Sequence, residues 1–262
     1  MNPTNEEKTF HIEVLPPKQA SEKLDAGLER FATKFRTVME AGYIACITDN
    51  AMGNLAFQGT ELIEELELDI KPDQVMIHLN TFHAKDDLDS ILGECKERGI
   101  SQILVITGDG SERLPKLHPE DIGAGDVESV TSVELIKFIR REHGDFFSLG
   151  VAFNPYEPED HEFAKMERKI DAGAEYIITQ PIIEENPQLA TLMDRVEIPV
   201  IVEAWMSKKI HLLSEAVGYE IPEDTPYDPM ANLKILRTNY GGCGFYLALL
   251  GFKTQYPLLK DI

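Results

Sequence analysis

The sequence predicts an α/β protein with the architecture of a single-domain (β/α)8 TIM barrel. Three observations predict it: short apolar runs alternate with amphipathic stretches along the whole chain, the composition does not shift, and 262 residues is a typical length. A doubly wound open sheet is the main alternative, but no GxGxxG follows the first apolar run, so a dinucleotide-binding domain is unsupported. We expect residues 1–8 to form a flexible tail and residues 9–262 to form the barrel.

The apolar runs are short and β-branched, as buried parallel strands are. The first must end before Pro16-Pro17, and the seventh begins after Pro199. The fourth is followed by Gly108 and Asp109, so a buried strand delivers a carboxylate to one end of the sheet. The seventh strand has its core at residues 200–202 and ends at residues 203–205. The other predicted strands are residues 9–15, 43–48, 74–79, 103–107, 147–153, 176–179 and 243–247.

Between the strands, apolar residues recur at spacings of three and four, which predicts helices with one buried face. Pro187 suits the first turn of the sixth helix, and Gly173 suits the residue after the fifth. The acidic connection at residues 109–129 contains prolines and is long enough to be a functional loop. The predicted helices are residues 20–41, 59–66, 85–98, 130–141, 161–172, 186–196, 207–217 and 229–238.

Composition excludes several classes of partner. The net charge of -21 argues against nucleic acid and anionic membranes, because phosphate binding needs clustered Lys and Arg. Cys46, Cys95 and Cys243 are too far apart to suggest a zinc knot or a disulfide framework. No apolar stretch approaches a membrane span of roughly 18 residues, and the polar start of the chain does not resemble a signal peptide. We therefore expect a cytoplasmic protein.

Polar and aromatic side chains stand where the predicted strands end, which is where such barrels place their active sites. Glu13 lies between an apolar strand and two prolines, and partial desolvation of its carboxyl would suit it to general acid catalysis. Asp109 and Gln180 can hydrogen-bond a planar heterocycle. His78 and these acids could ligate a metal, but no HxH or HExxH is present, so no metal site is predicted.

These residues resemble those of the methylenetetrahydrofolate reductases, the flavin-containing (β/α)8 enzymes of folate metabolism. The resemblance rests on residues 13–18, 78–80, 108–109 and 169–180, which stand in the right order and spacing. It runs from about residue 9 to residue 180. The resemblance implies an oxidoreductase of one-carbon metabolism that transfers hydride from reduced flavin to 5,10-methylenetetrahydrofolate, giving 5-methyltetrahydrofolate.

The resemblance also implies residue roles. Glu13 would protonate the folate, Asp109 would lie against the pterin near the flavin as a catalytic and substrate-binding group, and Gln180 would hydrogen-bond the pterin. At the eighth strand end, Phe245 and Tyr246 are expected to contact the substrate. The cofactor, FAD or FMN, would contact Thr48, His78, Gly108, Phe153 and, at its phosphates, Lys169.

Some positions depart from the family pattern. Thr107 stands where the family usually has an arginine, and Glu157 stands where it has a histidine. Residues 130–131, 202–206 and 247–249 also differ from the family's runs. Losing cations in a chain of net charge -21 disfavours an anionic FAD pyrophosphate, whereas the folate-facing Glu13, Asp109 and Gln180 are kept.

Three functional interpretations stay open at this point. The first is a flavin-dependent reductase with a nicotinamide or another electron donor, which could also run as a methyltetrahydrofolate oxidase in one-carbon catabolism. The second is a flavin-free paralogue that acts in folate-dependent methyl transfer with a partner protein. The third is a non-catalytic folate-binding subunit. Because the family is commonly oligomeric, a homo-oligomer is also expected.

Overall fold

A computed structural model describes residues 10–125 and 127–261 of the chain. Its eight parallel strands pair in sequence order and close into a barrel, which confirms the predicted (β/α)8 architecture. The predicted tail at residues 1–8 lies outside the described residues. The strands are β1 Phe10–Val14, β2 Ile44–Ile47, β3 Val75–Leu79, β4 Gln102–Val105, β5 Ser148–Phe153, β6 Tyr176–Thr179, β7 Val200–Trp205 and β8 Gly244–Ala248.

Helices follow the strands as the periodicity predicts, and a short one at the carboxyl end was not foreseen. Their bounds are α1 Leu24–Glu40, α2 Gly59–Glu65, α3 Lys85–Glu97, α4 Ser132–His143, α5 Glu159–Asp171, α6 Pro187–Arg195, α7 Ile210–Val217, α8 Pro229–Asn239 and α9 Phe252–Gln255. None of the helices in the described chain is long and apolar enough to cross a bilayer.

Local side-chain caps explain where several helices begin. The hydroxyl of Thr131 accepts a hydrogen bond from the Val133 amide, and Glu134 accepts one from the Thr131 amide, so α4 begins at Ser132 rather than at the predicted residue 130. Asn186 and Asp228 cap α6 and α8 in the same way. The hydroxyl of Ser207 instead accepts from the Lys209 amide, which holds a turn ahead of α7.

The chain divides into two compact units. In the described residues, the first unit comprises residues 10–13, 152–167 and 176–261, and the second comprises residues 14–125, 127–151 and 168–175. In the second unit β3 lies between β2 and β4, and every residue of β3 is buried. In the first unit β8 lies between β1 and β7.

The seventh strand ends where the sequence predicts, and the fourth does not. β7 runs to Trp205, within the predicted end at residues 203–205, and it stays paired with β8 as far as Trp205 opposite Ala248. β4 ends at Val105 rather than at Thr107. Past that point the chain leaves the regular ladder and turns at Gly108, whose φ is +82°. Glu203 is therefore an internal residue of a strand.

Candidate active site

In the first unit, strand register collects polar side chains on one face. His11 of β1 lies opposite Tyr246 of β8, and Tyr246 lies opposite Glu203 of β7. Paired residues of parallel strands point to the same face, and residues two apart on one strand do so as well. Glu13 therefore shares the face of His11, Tyr246 and Glu203. The Tyr246 hydroxyl donates a hydrogen bond to Oε2 of Glu13 at 3.2 Å.

Glu203 is one of the polar residues that the sequence places at the strand ends, but the sequence assigns it no specific role. Its carboxyl is recessed but keeps some exposure, and it forms neither an ion pair nor a side-chain hydrogen bond with residues 10–125 or 127–261. Burial, and secondly the charge of Glu13, hold the pKa of Glu203 well above its ordinary value. The feature of the sequence that could have indicated a role for Glu203 is that it is an acid inside an otherwise apolar run. The residues that face Glu203 depend on strand pairing, which cannot be read from the sequence.

Phenols near Glu203 are committed to other acceptors. The Tyr156 hydroxyl donates to the carbonyl of Pro181 at 2.6 Å, and the Tyr227 hydroxyl donates to the carbonyl of Trp205 at 2.7 Å. Burial is the main cause that raises the pKa of both phenols, and the charge of Glu203 adds to it. Both therefore stay neutral at ordinary pH and leave the Glu203 carboxyl without a donor.

The other predicted residues of the first unit are placed differently. Gln180 is half-buried, and its backbone N–H donates to the Phe153 carbonyl at 2.8 Å. Its side-chain amide makes no hydrogen bond within the described chain. Phe153 is fully buried, with its ring against Phe163 at 5.7 Å between centroids. Phe245 points to the opposite face of β8 from its neighbour Tyr246. The structure thus brings Tyr246, but not Phe245, to Glu13.

In the second unit, Asp109 is exposed on a turn that requires glycine. Gly108 has a φ of +82°, and a Cβ placed on it would meet the Asn80 Cβ at 2.6 Å. The side chain of Asn80 accepts from the Phe82 amide at 2.7 Å and donates to the carbonyl of Asp49 at 3.0 Å. The carboxylate of Asp109 therefore follows a backbone segment, at Gly108, that packs closely on Asn80.

The predicted cofactor residues of this unit are buried. Thr48 is 7% exposed, His78 is 8% exposed and Lys169 is 7% exposed. Burial lowers the pKa of His78 to about 4, and the charge of Asp49 opposes this only in part. The His78 imidazole is therefore neutral at ordinary pH.

A buried Asp49–His83 pair was missed by the sequence reasoning. Oδ2 of Asp49 lies 2.7 Å from Nε2 of His83 and accepts from the Asn80 amide at 2.8 Å. The two polar residues lie beyond the ends of the neighbouring strands β2 and β3, which is the signal that could have found them. The pair ties the loops after these strands together next to His78.

A cleft of about 640 Å3 also opens in the second unit. Its lining includes two cations, Lys18 and Arg113, and one acid, Glu112. The Lys18 ammonium donates to Oδ1 of Asn54 at 2.6 Å. The cleft therefore presents hydrogen-bond donors of positive charge in a chain whose net charge is -21. Among the described residues, no group of three or more His, Cys, Asp or Glu side chains is placed to hold a metal ion.

Comparison with known families decides the relationship. The family described as methylenetetrahydrofolate reductase matches residues 1–222. The chain belongs to the methylenetetrahydrofolate reductase family. This result confirms the resemblance read from the strand ends and extends it beyond residue 180.

Curated members of the methylenetetrahydrofolate reductase family align with most of the chain. Methylenetetrahydrofolate reductase 2 of Schizosaccharomyces pombe is 28% identical over 191 residues, which is 67% of this chain and 28% of that protein. Methylenetetrahydrofolate reductase (NADH) 1 of Zea mays is 26% identical over 187 residues, which is 65% of this chain and 30% of that protein. The matched segment thus spans less than a third of either relative.

Solved structures support the fold alone. A crystal structure of 2,3-dimethylmalate lyase superposes with a TM-score of 0.52 at 11% identity, covering 97% of this chain and 80% of that one. A second crystal form of the lyase gives the same TM-score of 0.52 at 12% identity. At such low identity the likeness carries no statement about chemistry.

Gly108→Ala should destabilise the protein. The new side chain would meet Asn80 in a backbone conformation that favours glycine, at a cost of about 1–3 kcal/mol of unfolding free energy. Gly93→Ala, in the interior of α3 with open space around it, is the matched control and should raise stability by up to about 1 kcal/mol. Urea unfolding measures both. An unchanged midpoint for Gly108→Ala would contradict the tight turn.

Glu203→Gln should change how stability depends on pH. A carboxyl whose folded pKa is raised stabilises the fold below its unfolded pKa of about 4.3, and this contribution is lost as the pH rises towards the folded pKa. The variant lacks that loss, so its stability relative to the wild type should increase with pH above about 4.3. Urea midpoints at stepped pH test this. A relative stability that falls with pH would show instead that Glu203 is ionised and paired.

Proposed function

We propose that this chain interconverts 5,10-methylenetetrahydrofolate and 5-methyltetrahydrofolate, with Glu13 as general acid and base. Membership of the methylenetetrahydrofolate reductase family supports the substrate. One observation carries the role of Glu13. Its carboxyl stands near the carboxyl end of β1, keeps some exposure and accepts a hydrogen bond from the Tyr246 hydroxyl at 3.2 Å.

The chemistry needs one proton donor on the folate. Reducing the methylene bridge requires one of its two C–N bonds to break, and protonating the departing nitrogen makes that break easier. Glu13 supplies this proton in the reductive direction and removes it in the oxidative direction. The Tyr246 hydroxyl orients the carboxyl and stabilises its ionised form once the proton has left.

Gln180 of the first unit and Asp109 of the second unit each carry a side chain that suits a pterin. Gln180 carries a side-chain amide that is half-buried and makes no hydrogen bond within the described chain, so its donor and acceptor are available to the pterin edge. Asp109 is exposed on the rigid turn after Gly108 and offers a carboxylate to the pterin N–H groups. Each residue lies beyond the end of its strand, where barrel enzymes bind substrates.

The second unit carries groups that fit a flavin. Thr48 and His78 are buried hydrogen-bonding side chains, and a neutral His78 suits the uncharged ring. Because Gly108 has no side chain, a flavin could approach its backbone closely. Lys169 supplies a cation for the phosphates. When bound, the flavin supplies the hydride that the methylene carbon receives.

Glu13→Gln should abolish interconversion while folate binding persists. The amide keeps the shape of the side chain but cannot deliver a proton, so turnover should fall by about 10²- to 10⁴-fold. The dissociation constant for 5-methyltetrahydrofolate, measured by calorimetry, should change little.

The matched control for this prediction is Glu197→Gln, an exposed acid before the amino end of β7, which should behave as the wild type. Folates separated by chromatography after reaction with reduced FAD report turnover. Full activity in Glu13→Gln would remove this residue from the mechanism. Folate binding by the wild type without turnover in either direction would instead favour a non-catalytic folate-binding protein.

A further inference from the structure

The cleft of about 640 Å3 in the second unit is lined by the segments that follow three strands. Residues 18–20 follow β1, residues 53–55 follow β2 and residues 111–113 follow β4. A second cleft of about 400 Å3 adjoins the first, since Lys18 and Ala20 line both. Together they form the cationic cleft, whose lining lies entirely within the second unit.

Contacts between these segments build the walls of the cationic cleft. Lys18 pairs with Ala56 in an antiparallel bridge, which joins the segment after β1 to the segment after β2. Gly53 has a φ of +66°, and a Cβ placed on it would meet the carbonyl oxygen of Gly110 at 3.0 Å. The segment after β2 therefore contacts both of the others, and the walls are formed by the chain itself.

The Lys18 ammonium is held in place by a neutral side chain. It donates to Oδ1 of Asn54 at 2.6 Å, and Nδ2 of Asn54 donates to the carbonyls of Ala51 at 3.0 Å and Met52 at 3.3 Å. An amide accepts one of the three ammonium protons without neutralising the charge. Because Lys18 makes no ion pair within the described chain, its charge and its remaining protons are available to a ligand.

Other cations of the cationic cleft also lack acidic partners. The guanidinium groups of Arg30 and Arg113 form neither an ion pair nor a side-chain hydrogen bond with residues 10–125 or 127–261. By contrast, cations on α3, α4 and α5 are paired with acids. The described lining contains a further lysine, Lys34, and one acid, Glu112. In a chain with 46 acids and 25 Lys or Arg, this positive charge is a local exception.

Carboxylate and phosphate groups are the ligands that suit such a cluster, because Lys and Arg donate charge-assisted hydrogen bonds to both. Cations on three separate segments suit a ligand with several anionic groups. We propose that the cationic cleft binds a small molecule that carries two or more carboxylate or phosphate groups, with Lys18, Arg30 and Arg113 as its contacts.

The identity of this ligand rests on the proposed function. Ser111 lines the cationic cleft two residues after Asp109, the residue that offers its carboxylate to the pterin. Folate carries its carboxylates at the end opposite to the pterin, on a glutamate tail that further glutamates can extend. The pyrophosphate of FAD is the second source of the same chemistry. Both present several negative charges that Lys and Arg recognise.

The first test uses inorganic tripolyphosphate, which needs neither a pterin site nor a flavin site. Calorimetry compares the wild type with Lys18→Gln, Arg113→Gln and the double variant. Each single substitution should weaken binding by about two- to five-fold, and the double variant should weaken it further. Salt should weaken wild-type binding more than that of the double variant. Lys18→Arg, which keeps the charge, should restore binding.

The matched control is Lys71→Gln, which removes an exposed lysine before the amino end of β3 and should bind as the wild type does. Urea unfolding verifies that each variant is folded. Equal affinity of the wild type and the double variant, or an equal loss in Lys71→Gln, would overturn the site. Tripolyphosphate binding decides the proposal even if the protein binds no folate, an outcome that would count against the proposed function alone.

The second test identifies the ligand. If the folate tail occupies the cationic cleft, 5-methyltetrahydrofolate with three glutamates should bind the wild type more tightly than the form with one, and the double variant should lose this preference. If the dinucleotide occupies it, the double variant should bind FAD more weakly and riboflavin, which has no phosphate, unchanged. Either result supports the site. A double variant that binds all four ligands as the wild type does would overturn the proposal.

Discussion

The parallel register of β7, β8 and β1 is the constraint on which the acid site depends. Side chains alternate between faces along a strand, so slipping one strand by one residue would turn its polar group to the other face. The residues that alternate with these polar groups along the strands fix the register, because their apolar side chains must stay buried on the other face. They are completely buried: Ile12, Val202, Ala204 and Leu247. Apolar burial on one face thus determines which acids meet on the other.

The second unit positions its groups by a different means. Asp49 and His83 are buried and bonded at 2.7 Å, and Asn80 bonds to the same aspartate through its backbone and its side chain. Gly108 then packs its backbone directly on Asn80. Breaking one member of such a buried network leaves the others without partners, which costs more than the bond itself contributes. Asp109 is therefore held by packing although its own side chain is exposed.

Much of this could be predicted from the sequence, because strand and helix periodicity is local. Every predicted strand and helix is present, and Glu13 and Tyr246, singled out as strand-end residues, prove to be bonded to each other. The sequence could not show that Glu203 shares a face with Glu13, since that follows from pairing across strands far apart in the chain. The same limit hid the Asp49–His83 pair. The sequence also could not distinguish Phe245 from Tyr246, because the pairing of β8 with its neighbouring strands determines which of the two side chains faces Glu13.

We propose that this chain moves a hydride between folate and a flavin. The most direct measurement mixes the protein, loaded with FAD, with 5-methyltetrahydrofolate in the absence of oxygen and follows the visible absorbance of the flavin. The flavin absorbance should bleach as 5,10-methylenetetrahydrofolate forms in equal amount. An unchanged flavin spectrum, with folate binding established by calorimetry in the same sample, would contradict it.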